Sequence, residues 1–277
     1  SDIINVNLDV KLLNEIISKT NATVAVETPV GFVKFNKDAL KAVEKQQGKA
    51  KSLKLQLKIE KDKDYSHIIG KTAYVISVKL LADKEAITDF GDGRVEITLE
   101  IPNTLLGREL VAVYIGEKDR IERFDGKIIT KKSADKNGKE TETKYYSFET
   151  DHFSVYALAE KSTVDEYEKT QKNQKLISGV KKTTVKLSST ASKKKIKLSW
   201  KKSKGYKVDA YEVYRKTSKS GKYTKVFTTK KPVSLSWTNS KKLKSGKTYY
   251  YKVRGVRTVD GNKYYTKWSN ITSKKIK

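Results

Sequence analysis

Cysteine and methionine are absent from this chain of 277 residues, and proline and histidine are rare, with 3 and 2 copies. Without cysteine, neither a disulfide framework nor a cysteine-ligated metal site can form. The sequence also contains no run of about 18 or more apolar residues, so no segment has the length of a membrane-spanning helix. Because no initiator methionine is present, we expect Ser1-Asp2 to be the edge of a fragment, with any signal peptide or wall anchor outside it.

Acidic residues are scarce in the second part of the chain. Residues 1–160 carry 26 Lys and Arg and 26 Asp and Glu, whereas residues 161–277 carry 34 and 6. The net charge of +28 therefore belongs entirely to the second part. Such asymmetry indicates a domain boundary and suggests a negatively charged partner for the basic part.

Residues 1–160 contain several segments in which apolar and polar positions alternate, a pattern typical of an antiparallel sheet with one buried face. Two short amphipathic helices are predicted at residues 10–19 and 38–47, the second capped by Asn36 and ended by Gly48. The polar stretch Lys131–Thr143 is expected to be a long mobile hairpin tip. This part is therefore predicted to be an α+β module.

Three segments of this module follow one another in a familiar order. They are Thr88-Asp-Phe-Gly-Asp-Gly-Arg-Val95, Val111-Ala-Val-Tyr114 and the closing run Thr150-Asp-His-Phe-Ser-Val-Tyr156. Their order resembles the β-rich module of large secreted or S-layer-associated surface proteins of Gram-positive bacteria, such as gut Clostridia. The resemblance covers about residues 1–160 and implies a place outside the cell, but no activity.

Residues 161–179 are predicted to form a linker helix. Thr163 suits a cap, acidic residues occupy the first turn, and Gly179 is expected to end the helix. The predicted organisation is thus a β-rich module at 1–160, a linker helix at 161–179 and a third region at 180–277.

Residues 180–277 show seven short strand patterns separated by turn signals, which is the pattern of an immunoglobulin-like sandwich. Leu243 precedes Tyr249 by six residues, the spacing of a tyrosine corner, and Trp200 is a candidate core anchor. Together with Trp268-Ser269, these residues resemble a fibronectin type III domain. The turn Thr258–Asn262 contains no Arg-Gly-Asp, so integrin-type adhesion through it is unsupported.

Two features of the first part could carry chemistry, and each has a structural explanation. Asp89 and Asp92 could bind calcium, but the segment lacks the further acidic residues of a calcium loop and fits an ordinary turn. His152 follows an aspartate, yet no nucleophile pattern accompanies it, so it is expected to be a structural anchor. We therefore expect no catalysis, no metal and no cofactor.

The basic charge has three interpretations: contact with an anionic polymer or glycan, a highly soluble spacer, and nucleic-acid binding. The last is disfavoured because base recognition uses Arg, whereas this region is rich in Lys. The candidate polyanion- or glycan-binding residues lie in loops at one end of the predicted sandwich and in its last strand: Lys193, Lys194, Lys195, Lys241, Lys242, Lys244, Tyr265 and Lys267.

The sequence thus predicts a mostly β, non-catalytic, extracellular or cell-surface protein fragment that is monomeric and acts as a spacer or adhesion module. Its expected partners are an anionic cell-wall polymer, a host glycan or a host protein, with no specific nucleic acid. The alternative is an accessory carbohydrate- or wall-binding region of a larger extracellular enzyme.

Overall fold

The computed structural model describes residues 3–61, 63–134, 136–202 and 204–277, so the expectation for Ser1-Asp2 lies outside the described residues. The chain divides into two compact units, Ser1–Glu168 and Lys169–Lys277. No helix in the described ranges combines the length and the hydropathy needed to cross a membrane. Each unit is a mostly antiparallel β structure, which confirms the predicted fold class.

The first unit contains, within its described residues, twelve strands, three complete α-helices and the beginning of a fourth. The helices are α1 (Val10–Lys19), α2 (Lys37–Gln47) and α3 (Ser66–Ile69). The strands are β1 (Ile3–Leu8), β2 (Val24–Thr28), β3 (Gly31–Phe35), β4 (Leu53–Ile59), β5 (Tyr74–Ala82), β6 (Glu85–Ile87), β7 (Val95–Glu100), β8 (Leu110–Ile115), β9 (Ile121–Phe124), β10 (Gly126–Ala134), β11 (Glu140–Thr150) and β12 (Val155–Glu160).

These strands form two sheets, with the orders β1-β4-β5-β12-β8-β9, where β6 pairs with β5, and β10-β11-β7-β3-β2. The apolar positions of both sheets meet in one core with the buried residues of α1 and α2. Phe35, Phe90 and Phe153 pack edge to face inside it, with ring centroids 4.9–6.0 Å apart. Asp9 and Asn36 start α1 and α2 by accepting backbone hydrogen bonds at 3.0 and 2.8 Å.

The expected long hairpin tip at Lys131–Thr143 is much shorter in the structure, because β10 continues to Ala134 and β11 begins at Glu140. The hydroxyl groups of Ser133 and Thr141 lie 2.8 Å apart across the pair, and the Lys131 ammonium lies 4.0 Å from the Phe32 ring centroid. The first contact joins paired strands and the second is a cation–π contact, and both stabilise the polar end of this ribbon.

His152 lies at the end of the first unit's core, where its backbone forms an isolated β-bridge with Asp89. Its Nδ1 is 2.8 Å from an oxygen of Asp151, and its ring packs edge to face on Tyr114. The buried hydroxyl of Tyr156 donates to the His152 carbonyl. These contacts attach the His152 segment to neighbouring residues of the first unit, and the role of His152 as a structural anchor stays a prediction.

The helix between the two β-rich regions, α4 (Lys161–Lys182), passes the predicted stop at Gly179 by about one turn. Gly179 faces the ring of Tyr206, and a Cβ there would lie 1.9 Å from a ring atom. The glycine therefore permits a close approach and does not end the helix. The boundary between the compact units falls inside α4, after Glu168. The domain limits 1–160, 161–179 and 180–277 stay predictions.

The second unit is a sandwich of two sheets. Its strands are β13 (Val185–Ser192), β14 (Lys195–Lys202), β15 (Ala210–Lys216), β16 (Thr224–Thr228), β17 (Ser236–Asn239), β18 (Thr248–Val259), β19 (Asn262–Tyr265) and β20 (Thr272–Lys275). One sheet has the order β13-β14-β17, and the other has β16-β15-β18-β19. Because β19 and β20 both pair with β18, they are two parts of one last strand, which gives seven strand positions. This is the strand order of a fibronectin type III sandwich.

The sandwich core contains the predicted anchors Trp200 and Tyr249, which are 4% and 3% exposed, and the partly buried Leu243 packs against it. The Lys244 N–H donates to the Tyr249 hydroxyl at 2.8 Å, and that hydroxyl donates to the Lys242 carbonyl at 3.4 Å. These bonds are those of a tyrosine corner. Trp268 differs from the other anchors, because 38% of it is exposed and it lies outside the core.

Candidate functional site

The candidate lysines fall into two separate groups on the second unit. Lys193 and Lys194 form the exposed turn between β13 and β14, and Lys195 begins β14. Lys241, Lys242 and Lys244 lie in the loop between β17 and β18. The tyrosine corner holds the backbone of this second loop, so its lysines project from a fixed position.

A cavity of about 550 Å³ opens beside the β17–β18 loop, at the edge where β16 and β17 end their respective sheets. Lys241 and Lys242 line it, and Lys193, Lys194, Lys195 and Lys244 are not among its lining residues. Arg215, Val226 and Trp237 also line it. The cavity therefore combines two predicted lysines, Lys241 and Lys242, with two residues that were not predicted, Arg215 and Trp237.

The outer face of the sheet β16-β15-β18-β19 carries a second cluster, which we call the cation–aromatic face. Three cross-strand pairs between β15 and β18 define it: Glu212 with Arg254, Tyr214 with Lys252, and Lys216 with Tyr250. Side chains directly opposite each other on one face of a sheet are close enough to interact. The aromatic residues Tyr223, Tyr265 and Trp268 complete the cluster.

Cations and rings alternate on this face. The Lys252 ammonium lies 3.8 Å from the Trp268 ring centroid and 4.5 Å from that of Tyr223. The Arg254 guanidinium lies 3.5 Å from the Tyr265 ring centroid. Cation–π contacts of this geometry stabilise the folded state by about 0.5–2 kcal/mol each, depending on desolvation.

Glu212 lies beneath these side chains and is only 3% exposed. Arg254 approaches its carboxylate at 2.9 Å and Lys225 at 3.1 Å. Burial raises the pKa of Glu212, but hydrogen bonds from Lys225 and Arg254 outweigh burial and hold that pKa below its ordinary value. Burial, followed by repulsion from Arg254 and Lys216, lowers the pKa of Lys252.

Tyr265 and Lys267, the predicted glycan-binding residues of the last strand, have contacts within the second unit, and their binding to a glycan stays a prediction. The Tyr265 ring is in contact with Arg254, and Trp268 packs edge to face on Tyr214. Lys267 is exposed, and its backbone N–H donates to the Thr183 carbonyl at 3.0 Å. Trp268 therefore acts as a surface contact that joins the last strand segment to the sheet, and not as a buried anchor.

Arg215 and Trp237 were missed because a strand pattern shows which face a residue occupies, but not which residues lie at an open sheet edge. The available signal was composition: the chain has only three tryptophans, and Arg215 is one of three arginines after residue 176. Such rare residues within a lysine-rich domain could have been singled out.

Comparison with known proteins found no matching family model and no matching curated protein. Among solved structures, pectate lyase PelI from Erwinia chrysanthemi, in complex with tetragalacturonic acid, matches 32% of this chain at 20% identity and a TM-score of 0.27. This chain spans 28% of that pectate lyase chain. An Fn3-like protein from Clostridium thermocellum matches 31% of this chain and 83% of its own, at 26% identity and a TM-score of 0.24.

The FN1–FN3 domains of chicken CNTN1 match 74% of this chain and 75% of their own, at 11% identity and a TM-score of 0.27. At such TM-scores the assignment of the second unit rests on its strand order. The resemblance of residues 1–160 to a bacterial surface module stays a prediction.

Proposed function

We propose that this chain is a non-catalytic part of an exported bacterial surface protein, and that its second unit contacts an anionic polymer or glycan. The observation that carries the proposal is charge: residues 169–277 contain 33 Lys and Arg and 3 Asp and Glu. All three carboxylates already have partners. Asp209 binds Arg257 at 2.7 Å, Glu212 binds Arg254, and Asp260 accepts from Asn173 at 2.7 Å. Three engaged carboxylates leave a large positive surplus.

The composition of this surplus favours a polymer of repeated anionic groups. Only 3 of the 33 cations are arginine. Recognition of nucleic-acid bases favours arginine, because its guanidinium group can donate two hydrogen bonds to one base. Lysine acts as a point charge and suits carboxylate, sulfate or phosphate groups spaced along a chain.

The arrangement around the histidines supports a non-catalytic role. A catalytic histidine uses one ring nitrogen as the base and the other to bind an orienting carboxylate. Asp151 and the Thr150 hydroxyl both lie near the Nδ1 of His152, at 2.8 and 3.4 Å, so this hydroxyl shares a ring nitrogen with the carboxylate and does not lie at the opposite nitrogen, where a relay needs its nucleophile. His67 pairs with Asp119 at 3.0 Å, and both side chains are about half exposed.

Binding of the full chain to teichoic acid, heparin, mucin and DNA tests the proposal. Binding to at least one polymer should persist at about 0.15 M salt, where charges more than roughly 8 Å apart are screened. Changing Lys193, Lys194 and Lys195 to Gln should weaken that binding on the order of tenfold. The matched control changes the exposed Lys45, Lys49 and Lys84 of the first unit. Equal losses in both variants, or no binding that survives salt, would favour a soluble spacer.

The alternative is an accessory region of a larger extracellular enzyme. Both proposals use the same binding surface, and they differ in what adjoins it. Sequencing the full reading frame separates them, because a catalytic domain on the same polypeptide would support the accessory role.

A further inference from the structure

The cavity at the β16–β17 edge is more elaborate than a surface that only attracts a polyanion. A charged polymer can bind to scattered exposed lysines, whereas this site is concave and partly apolar. Its volume of about 550 Å³ lies within the range of about 300–1,000 Å³ that is usual for small-ligand sites. The edge stays open because β16 and β17 belong to different sheets and do not pair with each other.

One wall of the cavity is aromatic. Trp237 is partly buried and stacks on Phe227, with ring centroids 4.9 Å apart and an interplanar angle of 9°. This stacking fixes the indole, and Val226 adds further apolar surface beside it. A fixed apolar wall can pack against the C–H face of a sugar ring. A chain of phosphate groups has no such face and would leave this wall without a contact.

Three cations line the same cavity, and no acidic residue is among its lining residues. The Arg215 guanidinium lies 5.4 Å from the Tyr249 ring centroid, and its Nη1 donates to the Lys241 carbonyl at 3.5 Å. Within the described residues, no carboxylate lies within ion-pair distance of Arg215, Lys241 or Lys242. A bound anion would supply the missing negative charge.

The cationic loop is held in place before any ligand binds. The Lys241 N–H donates to the Asn239 side chain at 3.2 Å, and Lys242 has a left-handed backbone with a φ of 55°. The Tyr249 hydroxyl binds the same loop through the Lys242 carbonyl. A preorganised site loses less conformational entropy on binding.

We propose that this cavity binds one acidic sugar residue of a polysaccharide. The sugar ring packs against Trp237, while Arg215, Lys241 and Lys242 bind its carboxylate or sulfate ester. This inference rests on the proposed function and gives it selectivity: the exposed lysines attract any polyanion, and the cavity selects those built from acidic sugars.

The test measures binding of the full chain at about 0.15 M salt. The probes are a hyaluronan tetrasaccharide carrying carboxylates, a sulfated galactose tetrasaccharide carrying none, neutral maltotetraose and tripolyphosphate. Ser240→Phe obstructs the cavity without changing charge, since Ser240 lines it and is exposed. Arg215→Gln removes the guanidinium group from the cavity. Its charge-matched control is Lys230→Gln, at an exposed lysine outside the cavity.

We expect at least one acidic tetrasaccharide to bind more tightly than maltotetraose and tripolyphosphate. Ser240→Phe, because it blocks the sugar, and Arg215→Gln, because it removes a charge-assisted contact, should each weaken that binding on the order of tenfold. Ser240→Phe should leave tripolyphosphate binding unchanged, and Lys230→Gln should have little effect. The carboxylate and sulfate probes then identify which acidic group the cavity prefers.

Sugar binding that both cavity variants retain would overturn the cavity proposal and leave the proposed function intact. Equal weakening of sugar and tripolyphosphate binding by Ser240→Phe would also overturn it. Absence of binding to every anionic probe and polymer would overturn both proposals. Tryptophan fluorescence melts of each variant establish that the second unit remains folded, since all three tryptophans lie in it.

Discussion

Glu212 and Arg254 stand directly opposite each other on β15 and β18 and form an ion pair at 2.9 Å on the outer face of the sheet. Lys225 binds the same carboxylate from β16. One buried acid thus connects three neighbouring strands and holds two cations that would otherwise repel each other. Breaking a buried pair by removing one partner is costly because the other charge stays buried.

The stability of the second unit should fall in acid because of Glu212. The pKa of Glu212 is below its ordinary value in the folded state. Its stabilising contribution is therefore fully present above the ordinary pKa and is lost as the pH falls through the folded pKa. Tryptophan fluorescence melts from about pH 7 to about pH 3 should show a smaller acid-induced loss for Glu212→Gln than for the unaltered chain. Parallel curves would contradict this prediction.

Tyr249→Phe should destabilise the second unit by about 1–3 kcal/mol, because the Lys244 N–H loses its acceptor at the tyrosine corner. Chemical unfolding followed by tryptophan fluorescence measures the change. Tyr264→Phe is the control, since Tyr264 is only partly buried on β19. An equal effect of both changes would mean that the corner bond adds no particular stability.

Gly179→Ala should destabilise the second unit although alanine favours helices by about 1 kcal/mol over glycine. The new Cβ would lie 1.9 Å from the Tyr206 ring, and overpacking of this kind typically costs about 1–3 kcal/mol. Ser178→Ala, at the exposed neighbour on the same helix, should not destabilise. The double variant Gly179→Ala with Tyr206→Ala should remove the clash. Thermal melts of the three variants and the unaltered chain compare their stabilities.

Asn270→Ala should detach β13 from the last strand segment. The Asn270 side chain accepts from the Leu187 N–H at 2.8 Å and donates to the Leu187 carbonyl at 2.9 Å. It therefore replaces backbone pairing, and its loss should cost about 1–3 kcal/mol. Faster amide hydrogen exchange at Leu187 would report this opening. Asn262→Ala, at an exposed hairpin position, should leave that exchange rate unchanged.

The sequence by itself determined the mostly β class, the helix at residues 10–19, the helix cap at Asn36, the tyrosine corner and the basic second half. Each depends on nearby residues: alternation along a strand, a side chain that caps its own helix, or the short spacing from Leu243 to Tyr249. Such patterns are fully present in the chain before it folds.

Only the tertiary structure decided which distant residues meet. The sequence pattern predicts a helix stop at Gly179, whereas in the structure the helix continues and Tyr206 packs against this glycine. The register of β15 and β18 places Glu212 opposite Arg254. The cavity likewise needs Arg215 and Trp237, which lie on different sheets, to meet at an edge that no strand covers. Contacts between distant segments depend on register and sheet closure, which periodicity along one strand does not specify.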